Sequence, residues 1–187
     1  MTFWLVTLFV FLAMLSPIMW LRPSRRDRRL GLLRQHARQA GVGVKFAKPP
    51  LHAPPGGLVS YRWSYTQARP GPLFLLVRDE YASQALKPFV AGWRWRIEPL
   101  RPLSGEASRQ LEQALAALPE DALVLESERR YLTLWWGESL ETKAFDVCQA
   151  ALAATRDVLA GPQRPDATPS APPLSLIHIS EPTRQEA

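Results

Sequence analysis

The side chains that could support nucleophilic or metal chemistry are few and far apart. The chain has one cysteine, Cys148, and three histidines, His36, His52 and His178. A zinc site needs His, Cys or carboxylate ligands at short, characteristic spacings, and none of these residues has such neighbours. Cys148 falls on the apolar stripe of a predicted helix, so we predict a buried, unreactive thiol. The sequence therefore predicts no metal site and no catalytic cysteine.

The acidic residues are also poorly arranged for acid–base catalysis. Asp79–Glu80 and Glu120–Asp121 are adjacent pairs whose carboxylates point to different sides of the chain, as is typical of solvated turns. Residues 54–57, PPGG, precede no predicted helix, so they lack the context of a phosphate-binding loop. We predict a protein without a cofactor that is not an enzyme; an enzyme with an unfamiliar site is the alternative.

Aromatic residues are the one surplus, with seven Trp and four Tyr. They could simply fill the core. They could also form a partner-binding patch with arginines, since Trp, Tyr and Arg are enriched at interface hot spots. Trp135 and Trp136 are consecutive on a predicted strand and point to opposite faces, so one must be exposed, covered by another element or bound to a partner. The candidate partner-binding residues are Trp135, Trp136, Trp93, Trp95, Arg94 and Arg96.

The chain begins with an apolar run. Residues 2–21 carry no charge, and 20 helical residues extend about 30 Å, the thickness of a bilayer's hydrocarbon core. We therefore predict a transmembrane helix over residues 1–21, with Trp4 and Trp20 at the headgroup levels. A cleaved signal peptide is the alternative, but the run lacks a preceding basic residue and a small-residue cleavage site.

A basic segment, residues 22–40, follows this run. It has seven arginines and one aspartate, whereas the rest of the chain is close to neutral. Ser24 as N-cap and Gly41 as C-terminal stop predict a helix whose arginines face outward. The arginine excess predicts a short N-terminus outside the membrane and a following domain in the cytoplasm.

The same arginines suit anionic lipid headgroups, at about 1 kcal/mol per charge near the surface. The simpler alternative is that they only set the topology. We predict no nucleic-acid partner, because the domain beyond adds almost no positive charge. The predicted membrane-interface residues are Trp4, Trp20, Arg22, Arg25, Arg26, Arg28 and Arg29.

Residues 41–161 predict a small α+β domain. Alternating apolar residues over 58–66 and 93–98, and the apolar run 73–77, indicate strands. Residues 122–136 indicate a hairpin that turns at 127–130. Helical periodicity predicts helices over 104–118 and 139–160, with Ser139 as the second N-cap. The expected fold is a mostly antiparallel sheet of five or six strands with helices on one face.

The end of the sequence differs in character. Residues 162–173 are rich in Pro, Ser and Thr and predict a disordered linker. Residues 174–184, LSLIHISEPTR, resemble a translated sequencing-adapter sequence over all eleven positions. We therefore expect residues 174–187 to be an artefact of sequence assembly.

The apolar run, the motif Leu21-Arg22-Pro23 and the basic helix resemble the start of YajC, the accessory subunit of the bacterial preprotein translocase. The resemblance covers residues 3–35 and implies a translocase partner. The predicted domain is longer than the compact β-rich domain of that family. The main hypothesis is a membrane-tethered binding or scaffold protein of the bacterial inner membrane, and a translocase accessory role is the alternative.

Overall fold

A computed structural model describes residues 2–20, 24–52, 54–90 and 92–161, with the side chains of residues 13–20 left out. The four α-helices in this part of the chain are α1 (Thr2–Trp20), α2 (Arg25–Gln39), α3 (Gly105–Ala116) and α4 (Thr142–Leu159), and Asp79–Tyr81 form a short 3-10 helix. The strands are β1 (Gly43–Lys45), β2 (Val59–Ser64), β3 (Phe74–Arg78), β4 (Pro88–Val90), β5 (Trp93–Ile97), β6 (Ala122–Ser127) and β7 (Tyr131–Trp136). The predicted linker and tail, residues 162–187, lie outside the described residues.

The seven strands form one antiparallel sheet in the order β1-β2-β7-β6-β3-β5-β4. The predicted hairpin is confirmed as β6 and β7, with a turn at residues 128–130. The count exceeds the expected five or six strands because β4 is a three-residue edge strand that begins with Pro88. Three residues are too few to show an alternating pattern, so periodicity could not detect this strand.

The sheet has a large core on one face and a small one on the other. Helices α2, α3 and α4 pack on the first face, which we call the helical face, around residues such as Trp136, Leu111 and Phe145. On the second face, Trp135 and its neighbours are covered by Leu51, Leu58 and Ala82 from connecting segments. Both faces are therefore covered in the centre of the sheet, but helices lie on only one of them.

The predicted transmembrane helix is not supported. Within the described residues, we find no helix that is both long enough and apolar enough to cross a membrane. The predicted fold class is therefore wrong in this respect. It is corrected to an α+β fold with four helices and a seven-stranded sheet over the described residues.

The ends of α2 and α4 show where capping was predicted well and where it was not. Ser24 caps α2 and forms a capping box with Asp27, and Gly41 follows the helix with a φ of 79°, as predicted. Helix α4 begins at Thr142, three residues after the predicted cap. Ser139 does not cap it, because its hydroxyl and its amide both donate to the Asp121 carboxylate.

Candidate functional site

A buried carboxylate in the loop between β7 and α4 is the most constrained group in the domain. Glu138 has a φ of 63°, the one positive φ outside glycine among the described residues, and it is 1% exposed. Arg34 donates to both carboxylate oxygens, with its Nε 2.7 Å from Oε1. The Tyr61 hydroxyl donates to the same Oε1 at 2.8 Å. We call Glu138, Arg34 and Tyr61 the Glu138 network.

The charges in the Glu138 network reinforce each other. The hydrogen bonds to Glu138 raise the pKa of Arg34, which keeps its guanidinium charged. Burial raises the pKa of Tyr61 far above its usual value, and the Glu138 charge raises it further, so the phenol stays a neutral donor. A bidentate Arg–carboxylate pair with a third donor satisfies a buried charge that would otherwise be costly. The network therefore connects α2 to the sheet, since Arg34 lies on α2 and Tyr61 lies on β2.

The Glu138 network docks α2 on the domain, together with three further contacts. Arg29 donates to the carbonyl oxygens of Glu138 and Ser139, at 3.0 and 2.9 Å. On the same helix, Leu33 and Ala37 are fully buried. His36 Nε2 lies 2.5 Å from the Asp146 Oδ1 on α4.

The prediction that the arginines of this helix face outward is therefore wrong for Arg29 and Arg34. Both guanidinium groups turn toward the β7–α4 loop, where they donate to the buried Glu138 carboxylate and to the loop carbonyl oxygens.

Arg25 and Arg28, on the same helix, do face outward, and together with Arg29 they border a groove. The groove, which we call the basic groove, lies between the N-terminal ends of α2 and α4 and has a volume of about 390 Å³. It is lined by Arg25, Arg28, Arg29, Leu32, Glu141 and Thr142. Among the other predicted membrane-interface residues, Arg26 is exposed and Trp4 is 78% exposed on α1. The Trp20 side chain and Arg22 lie outside the described residues.

The predicted partner-binding tryptophans lie in the two cores. Trp136, Trp93 and Trp95 are buried on the helical face. Trp135 is 3% exposed on the opposite face, where it is covered by connecting segments rather than exposed. Their role in partner binding stays a prediction, but none of these four rings is open to a partner in this structure.

The two arginines predicted to join those tryptophans hold the covering segments in place. Arg94 donates to the Leu86 carbonyl oxygen at 3.0 Å, and its Nε lies 3.0 Å from the Asp79 carboxylate. Arg96 donates to the Pro50 carbonyl oxygen at 2.8 Å. Sequence reasoning placed both correctly on the sheet but could not detect these partners, because the segments that they bind have no periodic pattern.

The side chains first considered for chemistry are dispersed in the fold. Among the described residues, no three His, Cys, Asp or Glu side chains form a group that could hold a metal ion. His36 is in the α2–α4 contact, and His52 lies beside Arg96, 3.4 Å from its Nη2. His178 lies outside the described residues. Cys148 is 2% exposed on α4, which confirms its predicted burial.

The Cys148 thiol should resist alkylation in the native protein. Burial raises its pKa to about 12, whereas an exposed thiol has a pKa of about 8.5. The thiolate is the reactive form, so at about pH 8 its population should be roughly a thousandfold lower than in the unfolded chain. We expect iodoacetamide to label Cys148 only after denaturation, as measured by intact mass. Equal labelling rates with and without urea would contradict this.

Comparison with protein-family models, with curated proteins and with solved structures finds no match to the chain. The resemblance of residues 3–35 to YajC therefore stays a prediction, and so does the translocase partner that it implies.

Proposed function

We propose that the chain is a non-enzymatic binding protein held at a lipid bilayer, with its α+β domain presented to a protein partner. The observation that carries the proposal is the exposed surface of α1. Large apolar side chains occupy most positions from 3 to 12, and each of them is at least half exposed. A contiguous surface of exposed apolar side chains such as this one marks a protein or membrane contact site.

Two features favour lipid over a protein groove as the partner of α1. The exposed apolar residues are nearly consecutive, so they lie on all sides of the helix instead of forming one stripe. The basic segment that follows carries arginines suited to anionic headgroups, which are concentrated in the cytoplasmic leaflet. We therefore propose the cytoplasmic face of a bacterial inner membrane as the location of the domain.

The domain itself has a small exposed apolar patch that could contact a protein. Leu100 is 97% exposed, and Ile97 and Leu73 are each more than half exposed. The three residues lie at one end of the sheet, since Leu75 pairs with Ile97 across β3 and β5. We propose that this patch, and not the buried tryptophans, is the partner-binding surface.

Vesicle flotation of the full chain tests the lipid proposal. Leu8→Asp with Phe9→Asp removes two exposed apolar side chains from α1, and each contributes about 1.5–3 kcal/mol when buried. We expect the fraction of protein that floats with phosphatidylcholine vesicles to fall at least about tenfold. Val147→Asp, which changes an exposed apolar residue on α4, is the control and should float like the unchanged chain. Equal flotation of all three proteins would reject the proposal.

Site-specific photocrosslinking in cells tests the protein surface. A probe at Leu100 should give one discrete crosslinked species, whereas a probe at Val147 should not. The same species from both positions, or none from Leu100, would contradict the proposed patch.

A further inference from the structure

We infer that the basic groove between α2 and α4 binds the phosphate of an anionic lipid headgroup. The inference rests on the proposed lipid association. It adds a defined site, with named residues, to what would otherwise be a diffuse attraction between an arginine-rich segment and a charged surface.

The spacing of the groove residues on α2 brings positive charge to one side of the helix. Arg25, Arg28, Arg29 and Leu32 are separated by three, one and three positions, so they share one face. The three arginines and the single acid Glu141 leave the groove with a net charge of +2. A guanidinium presents several donors in one plane and matches phosphate oxygens in a bidentate geometry.

Arg29 gives the groove a fixed charge. Its two terminal nitrogens donate to the carbonyl oxygens of Glu138 and Ser139, so its position is set by the domain. Arg25 and Arg28 are exposed, and their side chains can adjust to a ligand. One preorganised charge beside two adaptable ones lowers the entropy that is lost on binding.

The two helix ends at the groove differ in a way that adds to this charge. The first turn of α2 is closed by the capping box of Ser24 and Asp27. The first turn of α4 begins after Glu141, whose side chain makes no capping hydrogen bond in the described structure. Free amide groups at a helix start favour a bound anion. This end of α4 therefore supports the anion preference that the arginines establish.

The groove is also placed where a headgroup would be. Arg25 is five residues beyond Trp20, the last residue of α1, and five residues reach at most about 18 Å. When α1 is bound to a bilayer, the groove therefore lies within reach of the lipid headgroups. Leu32 is 64% exposed at the groove and offers apolar contact to the glycerol and upper acyl chain.

Quantitative binding of the full chain to two vesicle compositions tests the inference. Vesicles of phosphatidylcholine alone are compared with vesicles that contain phosphatidylglycerol, at constant ionic strength. One arginine near an anionic surface contributes about a fivefold factor in binding. We expect R25Q/R28Q to weaken binding to the anionic vesicles about 30-fold and to leave binding to phosphatidylcholine unchanged. Arg38→Gln, at the far end of α2, is the control and should have less than about a twofold effect.

Two substitutions of equal charge separate a site from diffuse attraction. Arg26 and Arg28 are both exposed on the first turns of α2, but only Arg28 lines the groove. The inference requires R28Q to weaken anionic binding about fivefold more than R26Q does. Equal losses from the two variants would overturn it.

The vesicle measurements with the unchanged chain distinguish a failure of the groove inference from a failure of the proposed lipid association. Equal binding of the unchanged chain to both vesicle types would overturn the groove inference and leave the lipid association intact. Binding to neither type would reject the lipid association itself. Titration with inorganic phosphate without vesicles distinguishes the ligand sources. Saturable binding of phosphate that matches the vesicle affinity and is lost in R28Q would identify free phosphate, not a headgroup, as the ligand.

Discussion

Glu138→Ala is expected to lower the free energy of unfolding by about 3–5 kcal/mol, because it leaves the charge of Arg34 near the domain interior without its partner. The guanidinium is only 23% exposed, so water cannot fully replace the lost carboxylate. The Tyr61 hydroxyl also loses the acceptor that it contacts at 2.8 Å. Alanine is strained at a φ of 63° much as glutamate is, so backbone strain should change little. Denaturant unfolding followed by circular dichroism measures the loss.

A double substitution separates the unpaired charge from the loss of packing. Arg34→Met combined with Glu138→Met removes both charges and keeps apolar volume, and such replacements are often neutral or stabilising. We expect the double variant to be more stable than Glu138→Ala. Glu128→Ala, which changes an exposed acid at the β6–β7 turn, should stay within about 0.5 kcal/mol of the unchanged chain. A Glu138→Ala cost as small as that of Glu128→Ala would show that the network does not stabilise the docking of α2.

Trp136→Ala should cost about 3–5 kcal/mol, which is typical for the loss of a fully buried tryptophan. The indole is 0% exposed on the helical face. Its ring centroid lies 5.3 Å from that of Tyr61 and 5.8 Å from that of Phe145. Truncation would therefore open a cavity between the sheet and α4, where rigid elements cannot close it. The free energy of unfolding in a mild detergent is the measurement.

The same substitution at two other tryptophans tests how the cores differ. Trp135→Ala should cost less than Trp136→Ala, because Leu51 and Leu58 belong to connecting segments that can move into the space. Trp4→Ala, on the exposed surface of α1, should change the stability by no more than about 0.5 kcal/mol. If Trp135→Ala were the more damaging of the two core variants, the assignment of the main core to the helical face would be wrong.

Local patterns in the sequence predicted the elements of the domain well. Ser24 and Gly41 mark the ends of α2 through capping chemistry that acts over a few residues. The β6–β7 hairpin follows from alternating apolar residues on both sides of a charged turn. The consecutive pair Trp135 and Trp136 indicated that one ring had to be exposed, covered by another element or bound to a partner, and in the structure connecting segments cover Trp135.

The contacts that join these elements could not be predicted in the same way. Arg34 and Glu138 are 104 positions apart, and nothing near either residue indicates the other. For the same reason Ser139 was taken for a helix cap, since its real partner, Asp121, lies in a different connection. The transmembrane helix was inferred from hydropathy and length alone, and this inference failed over the described residues. The basic groove needs α2 and α4 to be placed side by side, so only the fold shows it.

The 104-residue separation within the Glu138 network also has a consequence for the timing of synthesis. Ribosomes add about 5–20 residues per second, so Arg34 is made roughly 5–20 s before the carboxylate that will hold it. During that interval the arginines of residues 22–40 have no domain to dock on, and their charge is free to find an anionic surface. Under the proposed lipid association, a newly made chain can reach such a surface first and complete its domain there afterwards. This interval ends when the loop between β7 and α4 has been made, because its Glu138 carboxylate then binds Arg34.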